Sequence, residues 1–259
     1  MFSLHKWYLD VVTNRGDVVI LYAARLRWGA FRIGYASVLE DTSDGEHREA
    51  GTVGRLQIPR CRGDELTWQS DALDVEGRWQ RESPPVRRRT LASTPNGMIR
   101  WACHMPRARA TARVGRVTHE GRGYVESLSL TIPPWKLPFD ELRWGRHTSD
   151  RHSLVWIDWR GSVARKWVWF DGEEQSEAVV TDTGISRLAG GAELHFRNGR
   201  DVVDRNVLAS LTGVSPRLTR RVSGRLGTMH EHKRVDSSSI VCGGERQDGG
   251  WTVHEVVRW

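Results

Sequence analysis

The sequence predicts an all-β protein, built as a sandwich or as barrels. Three observations carry that expectation. Short runs rich in Val, Ile, Trp and Tyr recur along the whole chain, each bounded by Gly, Pro, Asn or Asp. Many of them alternate residue type with the period of two that a half-buried strand requires. Helix signals are scarce, and only Asp201–Arg220 reads as a short helix or a long loop.

The first strands are Lys6–Val12 and Asp17–Arg25, joined by the turn Thr13-Asn14-Arg15-Gly16. Trp28–Glu40 follows and is closed by the polar turn Asp41–Gly45. Further strands are Arg48–Ile58, Glu65–Ser70, Gly77–Glu82, Val86–Ala92, Met98–His104 and Ala108–Arg116. Gly123–Gly161 is the centre of the chain. It holds four of the thirteen tryptophans and places strands on both sides of a proline-rich crossing, Ile132–Pro138. The second half continues with Ser153–Arg160, Ala164–Phe170, Ala178–Asp182, Ile185–Leu188 and Ala192–Phe196. It ends in Gly227–Val235, Ser238–Gly243 and Trp251–Trp259.

At 259 residues the chain can bury a large core, as one all-β unit or two domains. Its net charge of +7 comes mostly from arginines spread over the whole length. The densest run, Arg87-Arg88-Arg89, reads as a solvated turn or edge strand, and the even spread of acids argues against a nucleic-acid partner. Cys61, Cys103 and Cys242 stand far apart, which argues against a disulfide framework or a zinc knuckle and fits a reducing, cytoplasmic compartment. No apolar run approaches the ~20 residues of a transmembrane helix, and the start lacks a signal-peptide core. His230-Glu231-His232 puts two imidazoles on one strand face without a third ligand, so no metal is expected. No Gly-x-Ser-x-Gly elbow, P-loop or dinucleotide fingerprint is present.

An internal echo suggests duplication. Tyr8-Leu9-Asp10 matches Trp156-Ile157-Asp158, and Gly123-Tyr124-Val125-Glu126 matches Trp251-Thr252-Val253-His254-Glu255. The implied domains are residues 1–140 and 141–259, each large enough for a barrel.

Taken together, Trp7-Tyr8-Leu9-Asp10, the Gly-Tyr-Val-Glu segment and the Trp156-Ile157-Asp158 strand resemble the lipocalin-like superfamily of carotenoid 1,2-hydratase, tocopherol cyclase and the Diels–Alderases. Leu9 stands where those proteins usually carry Phe. The resemblance implies two lipocalin-like antiparallel β-barrels packed side by side, with an apolar ligand cavity at or near their junction. It also implies cofactor-free acid catalysis at a carbon–carbon double bond of an isoprenoid or polyketide, by hydration, cyclisation or isomerisation. The aromatic-x-Asp strand that supplies the acid in the hydratases falls on Trp156-Ile157-Asp158. Their His-x-Trp pair before the crossing is absent here, where the chain reads Ser127-Leu128-Ser129. Cyclisation and isomerisation are therefore as open as hydration.

Burial against aromatic rings raises a carboxyl's pKa by disfavouring the anion. Alternation puts Trp156 and Asp158 on one strand face, so Asp158 is a candidate proton donor with an indole beside it. Such a face stabilises a cation by roughly 0.5–2 kcal/mol. The competing reading is an interior salt bridge to an arginine such as Arg146. Glu126, with Tyr124 on its face, is either a second acid or base, or a strand-end carboxylate held by backbone or arginine. Tyr8 and Trp144 are further candidates for the lining of a substrate cavity, and Tyr8 shares its face with a structural Asp10. Arg146 either grips a substrate carboxylate or phosphate, or neutralises Asp158. Glu255 and His254 face opposite ways on their strand, with Glu255 read as half of a buried ion pair. The alternative from another class is a non-catalytic carrier or sensor of hydrophobic ligands on the same fold.

Overall fold

A computed structural model describes residues 2–206 and 228–259. The chain divides into two compact units, Met1–Pro133 and Pro134–Trp259, each formed around one antiparallel sheet. The first unit contains β1 (Phe2–Thr13), β2 (Val18–Trp28), β3 (Phe31–Asp41), β4 (His47–Gly54), β5 (Arg60–Arg62), β6 (Glu65–Ser70), β7 (Val75–Arg81), β8 (Val86–Thr94), β9 (Gly97–Val114) and β10 (Val117–Leu130). Their order is β4-β3-β2-β1-β10-β9-β7-β6-β5, with β8 also paired to β9. The second unit contains β11 (Glu141–Ser149), β12 (Ser153–Arg160), β13 (Arg165–Phe170), β14 (Glu173–Glu174), β15 (Val179–Val180), β16 (Gly184–Ser186), β17 (Ala192–Asn206), β18 (His230–Cys242) and β19 (Glu245–Arg258). Their order is β14-β13-β12-β11-β19-β18-β17-β16-β15. Both sheets obey one rule: a four-strand meander, then a last strand that returns to pair with the first. This is the all-β, lipocalin-like architecture that the sequence predicts.

The internal echo maps onto this shared order only in part. Gly123–Glu126 and Trp251–Glu255 both lie on the last strand of their unit, β10 and β19. Tyr8–Asp10 lies on the first strand of its unit, whereas Trp156–Asp158 lies on the second, β12. The aromatic-x-Asp match is thus one strand out of step with the topology.

Alternation sets which residues enter each core. In the first unit Leu9, Val11, Val19, Leu21 and Val125 project onto Trp68, Trp79 and the alanines of β9. Each such side chain contributes about 1.5–3 kcal/mol on full burial. Trp79 is fully buried and donates its Nε1–H to the Asp10 carbonyl at 2.8 Å. Its indole lies against Gly123, where a methyl group would overlap the ring. The second core gathers Leu154, Trp156, Val168, Ile185, Leu194 and Ile240.

Several strands run further than the sequence suggests. Met98–His104 and most of Ala108–Arg116 form one strand, β9, that passes through Pro106 and ends at Val114. The register shift between β9 and β10 falls there, and β9 changes partner from β8, which reaches Cys103, to β7, which begins at Ala108. A residue without an N–H costs least where the ladder is already interrupted. Likewise Val235 and Ser238 lie on one strand, β18, whose serines pair with both β17 and β19 rather than turning. The turn comes later, at Gly243-Gly244, whose φ values of 59° and 86° suit a two-residue hairpin. Asp201–Asn206 is the end of β17, not helix or loop. The remainder of that expected segment, residues 207–220, and Gly227 lie outside the described residues. No helix among the described residues is long and apolar enough to cross a membrane.

Candidate active site

The residues singled out from sequence fall into two groups. In the first unit Tyr8, Tyr124 and Glu126 sit together on the sheet face opposite Leu9 and Val125. Glu126 accepts hydrogen bonds from Tyr124 Oη at 2.7 Å and Trp101 Nε1 at 2.5 Å. Tyr8 donates to Asp10 at 2.9 Å, and its ring meets Tyr124 edge-on at 6.0 Å. Tyr124 and Cys103 are fully buried, and burial pushes the hydroxyl and the thiol well above their ordinary pKa values. Every carboxylate here has phenol or indole donors, the arrangement a buried acid requires.

In the second unit Trp156 and Asp158 share one face of β12, as alternation demands, while Trp144 and Arg146 point from β11 to the opposite face. The register makes this plain: Trp156 is opposite Gly145, Asp158 opposite Arg143, and Arg146 opposite Val155. Arg146 is fully buried and donates to Thr148 Oγ1 and to the Trp251 carbonyl, both at 3.1 Å. The guanidinium on Asp158 is Arg160, whose Nε is 2.9 Å from Oδ2. Arg160 also reaches Glu141, which holds Arg143 at 2.6 Å and Arg258 at 2.8 Å. Burial opposes ionisation of Glu141, yet the bonds from Arg143 and Arg258 outweigh it and leave its pKa below the usual range. Asp158 thus belongs to an ionic rim.

Beside that rim lies a hollow of about 480 Å³, lined by Arg143, Trp156, Phe196, Asp236 and His254 among others. Phe196 stacks on His254 at 4.8 Å and on Trp156 at 5.9 Å. His254 Nε2 lies 2.7 Å from Asp236 Oδ2, and the side chains are only 13% and 7% exposed. In the neutral ring, donation from Nε2–H to the carboxylate selects the tautomer whose Nδ1 carries the lone pair. The backbone of Gly199 passes so close to Asp236 that any side chain there would collide with the carboxylate. Sequence reading set His254 aside and did not weigh Asp236. Their alternation was legible, but only the β18–β19 register, with Arg234 opposite His254 and Asp236 opposite Thr252, makes them neighbours.

Gly145 creates the room for this arrangement. It sits in register between Trp156 and His254, and a methyl group there would overlap the Trp156 indole. Gly145→Ala is expected to cost about 1–3 kcal/mol by overpacking and to shift Trp156; a thermal melt and the tryptophan emission spectrum check both.

One rung along β11, His147 is fully buried, with Nδ1 2.8 Å from Ser238 Oγ and Nε2 without a hydrogen-bond partner among the described residues. Burial lowers its pKa to about 3, and burial with Arg88, His5 and Arg81 nearby lowers that of His104 to about 4. Above the ordinary histidine value of 6.5 both rings are neutral whether the chain is folded or not. Below it the unfolded chain takes up protons that the folded chain refuses. Stability therefore falls as pH drops from 6.5 towards 4, by about 1.4 kcal/mol per pH unit for His147 alone. Urea midpoints at neutral and acid pH should differ less in His147→Gln than in the unaltered chain.

Among the described residues no cluster of His, Cys, Asp and Glu could hold a metal. His230 and His232 pair instead with Asp204 and Asp201, at 3.1 and 2.9 Å. Glu255 forms the expected buried ion pair, with Lys233 rather than an arginine, at 2.6 Å.

No protein-family model and no curated protein matches the sequence. Solved structures do match the fold over nearly the whole chain. Kievitone hydratase from Nectria haematococca aligns with 98% of this chain and 88% of its own, at a TM-score of 0.54 and 10% identity. A protein assigned as AttH from Nitrosomonas europaea aligns with 98% of this chain and 91% of its own, at 0.59 and 9% identity. CghA aligns with 99% and 88%, at 0.52 and 12% identity. The chain therefore has the lipocalin-like fold that its motifs resemble.

Proposed function

We propose that this chain is an enzyme that moves a proton on an apolar small molecule of isoprenoid or polyketide type, and that the second unit's hollow is its active site. The observation that carries the reading is the His254–Asp236 pair set in the aromatic wall of Phe196 and Trp156. Asp236 orients the imidazole. His254 Nδ1 takes a proton from a substrate C–H or from an attacking water and returns it to the neighbouring carbon, which is isomerisation, cyclisation or hydration according to the substrate. The ring of Phe196, stacked on His254, favours the imidazolium that forms when the base takes the proton. The step uses only the chain's own side chains. Asp158, bonded to Arg160, is assigned to the ionic rim in this scheme. The hydratase of the same fold supports the reaction class by analogy of architecture alone.

The test is incubation in D₂O with a panel of prenylated phenols and polyenes, read by mass spectrometry. Deuterium incorporation or a gain of water by the wild-type chain, lost in His254→Gln, supports the assignment. Incorporation that survives the substitution refutes it.

A further inference from the structure

We infer that the open end of the first unit binds a monomeric amphiphilic anion, a small molecule with a carboxylate or phosphate head and an apolar tail. This site is separate from the hollow of the second unit and does not depend on the function proposed for it. The hollow here is larger, about 1000 Å³, and four arginines line it: Arg25, Arg27, Arg32 and Arg55. Strand register sets three of them in two rows. Ser129, His5, Arg25 and Gly34 form one row across β10, β1, β2 and β3. Ser3, Arg27 and Arg32 form the next. On β2 the arginines continue the same alternation as Leu21 and Ala23, so they crown the face that lower down is the apolar core.

No aspartate or glutamate lines this hollow. None of the four arginines has a carboxylate partner among the described residues. Elsewhere in the chain guanidinium groups do find acids: Arg113 with Asp74, Arg160 with Asp158, Arg234 with Asp201 and Arg258 with Glu141. Like charges converging on a concavity without counter-charge raise the local potential and attract an anion, and the guanidinium fork matches carboxylate and phosphate oxygens. The same field reaches the neighbouring rings, since Arg88 and Arg25, after burial, lower the pKa of His5. Leu56 supplies apolar wall beside the charges, and the core it packs against begins one row further in, at Trp7 and Ala23. A bare inorganic anion would leave that wall in water, and a neutral lipid would leave the arginines unanswered. Gly34 lets β4 approach at this edge and brings Leu56 against the hollow, since a side chain there would strike the Gly54 carbonyl.

Calorimetric titration of the full chain with laurate, dodecyl phosphate and dodecanol, each below its aggregation concentration, tests the inference. Both anions should bind one to one and at least about tenfold more tightly than the alcohol, the difference that one charge-assisted hydrogen bond supplies. Raising salt should narrow the gap. The double variant Arg25→Gln/Arg27→Gln should abolish it, while Arg116→Gln, which removes an exposed charge from the β9–β10 turn, should not; melting curves establish that both variants are folded. Equal binding of alcohol and anions, or equal loss in the Arg116 variant, overturns the proposal. So does binding only to vesicles of anionic phospholipid, which would make the patch a membrane-surface contact.

Discussion

Replacing His254 with Gln should lower kcat by about 10²–10⁴, the contribution of a positioned acid–base group, and leave KM nearly unchanged. The reason is geometric. Nε2 is committed to Asp236 at 2.7 Å, the ring is sandwiched against Phe196, and Nδ1 is left as the nitrogen able to exchange a proton with a ligand. Glutamine keeps the volume and a donor for Asp236 but cannot cycle a proton. Asp236→Asn should cause a smaller drop, because it leaves the base in place and disturbs its tautomer and aim. If the two act as one unit, the double variant is no worse than His254→Gln alone. Additive losses would mean that Asp236 acts independently, and full activity in His254→Gln would remove the imidazole from the mechanism.

The second large effect concerns stability. Lys233 is almost wholly buried, its ammonium 2.6 Å from both Glu231 and Glu255. It lies directly across from Glu255 in the β18–β19 ladder. Lys233→Met fills the same space but removes the cation between two largely buried carboxylates, leaving their repulsion and desolvation poorly offset even with Arg205 4.0 Å from Glu231. The expected loss is about 3–5 kcal/mol, read from urea unfolding with linear extrapolation. The triple variant Lys233→Met/Glu231→Gln/Glu255→Gln should recover most of it, since removing the whole group is far less costly than breaking it. A loss near zero in Lys233→Met would show that the carboxylates reach water or other partners.

The strand content was legible because period-two alternation and turn residues are local properties. Glu65–Ser70 and Ser153–Arg160 coincide with β6 and β12 for that reason. Pro106 and the serines around Ser238 misled because each normally ends a strand. Here a register shift excuses the first, and pairing on both sides absorbs the second. Asp158 drew attention through the indoles beside it in sequence, and sequence does not say which guanidinium reaches a carboxylate. Arg160, two residues along the same strand face, is that partner.

The sequence by itself determined the fold class, the alternation of buried and open faces, and the sharing of a face by Trp156 and Asp158, because these depend on neighbours one or two residues apart. Tertiary structure alone decided that Asp236 meets His254, that Gly145 makes room for an indole, and that arginines from β2 and β3 converge without acids. Each depends on strand register. A shift of one residue would turn every side chain to the other face, and the register is fixed by cores assembled from segments more than a hundred residues apart.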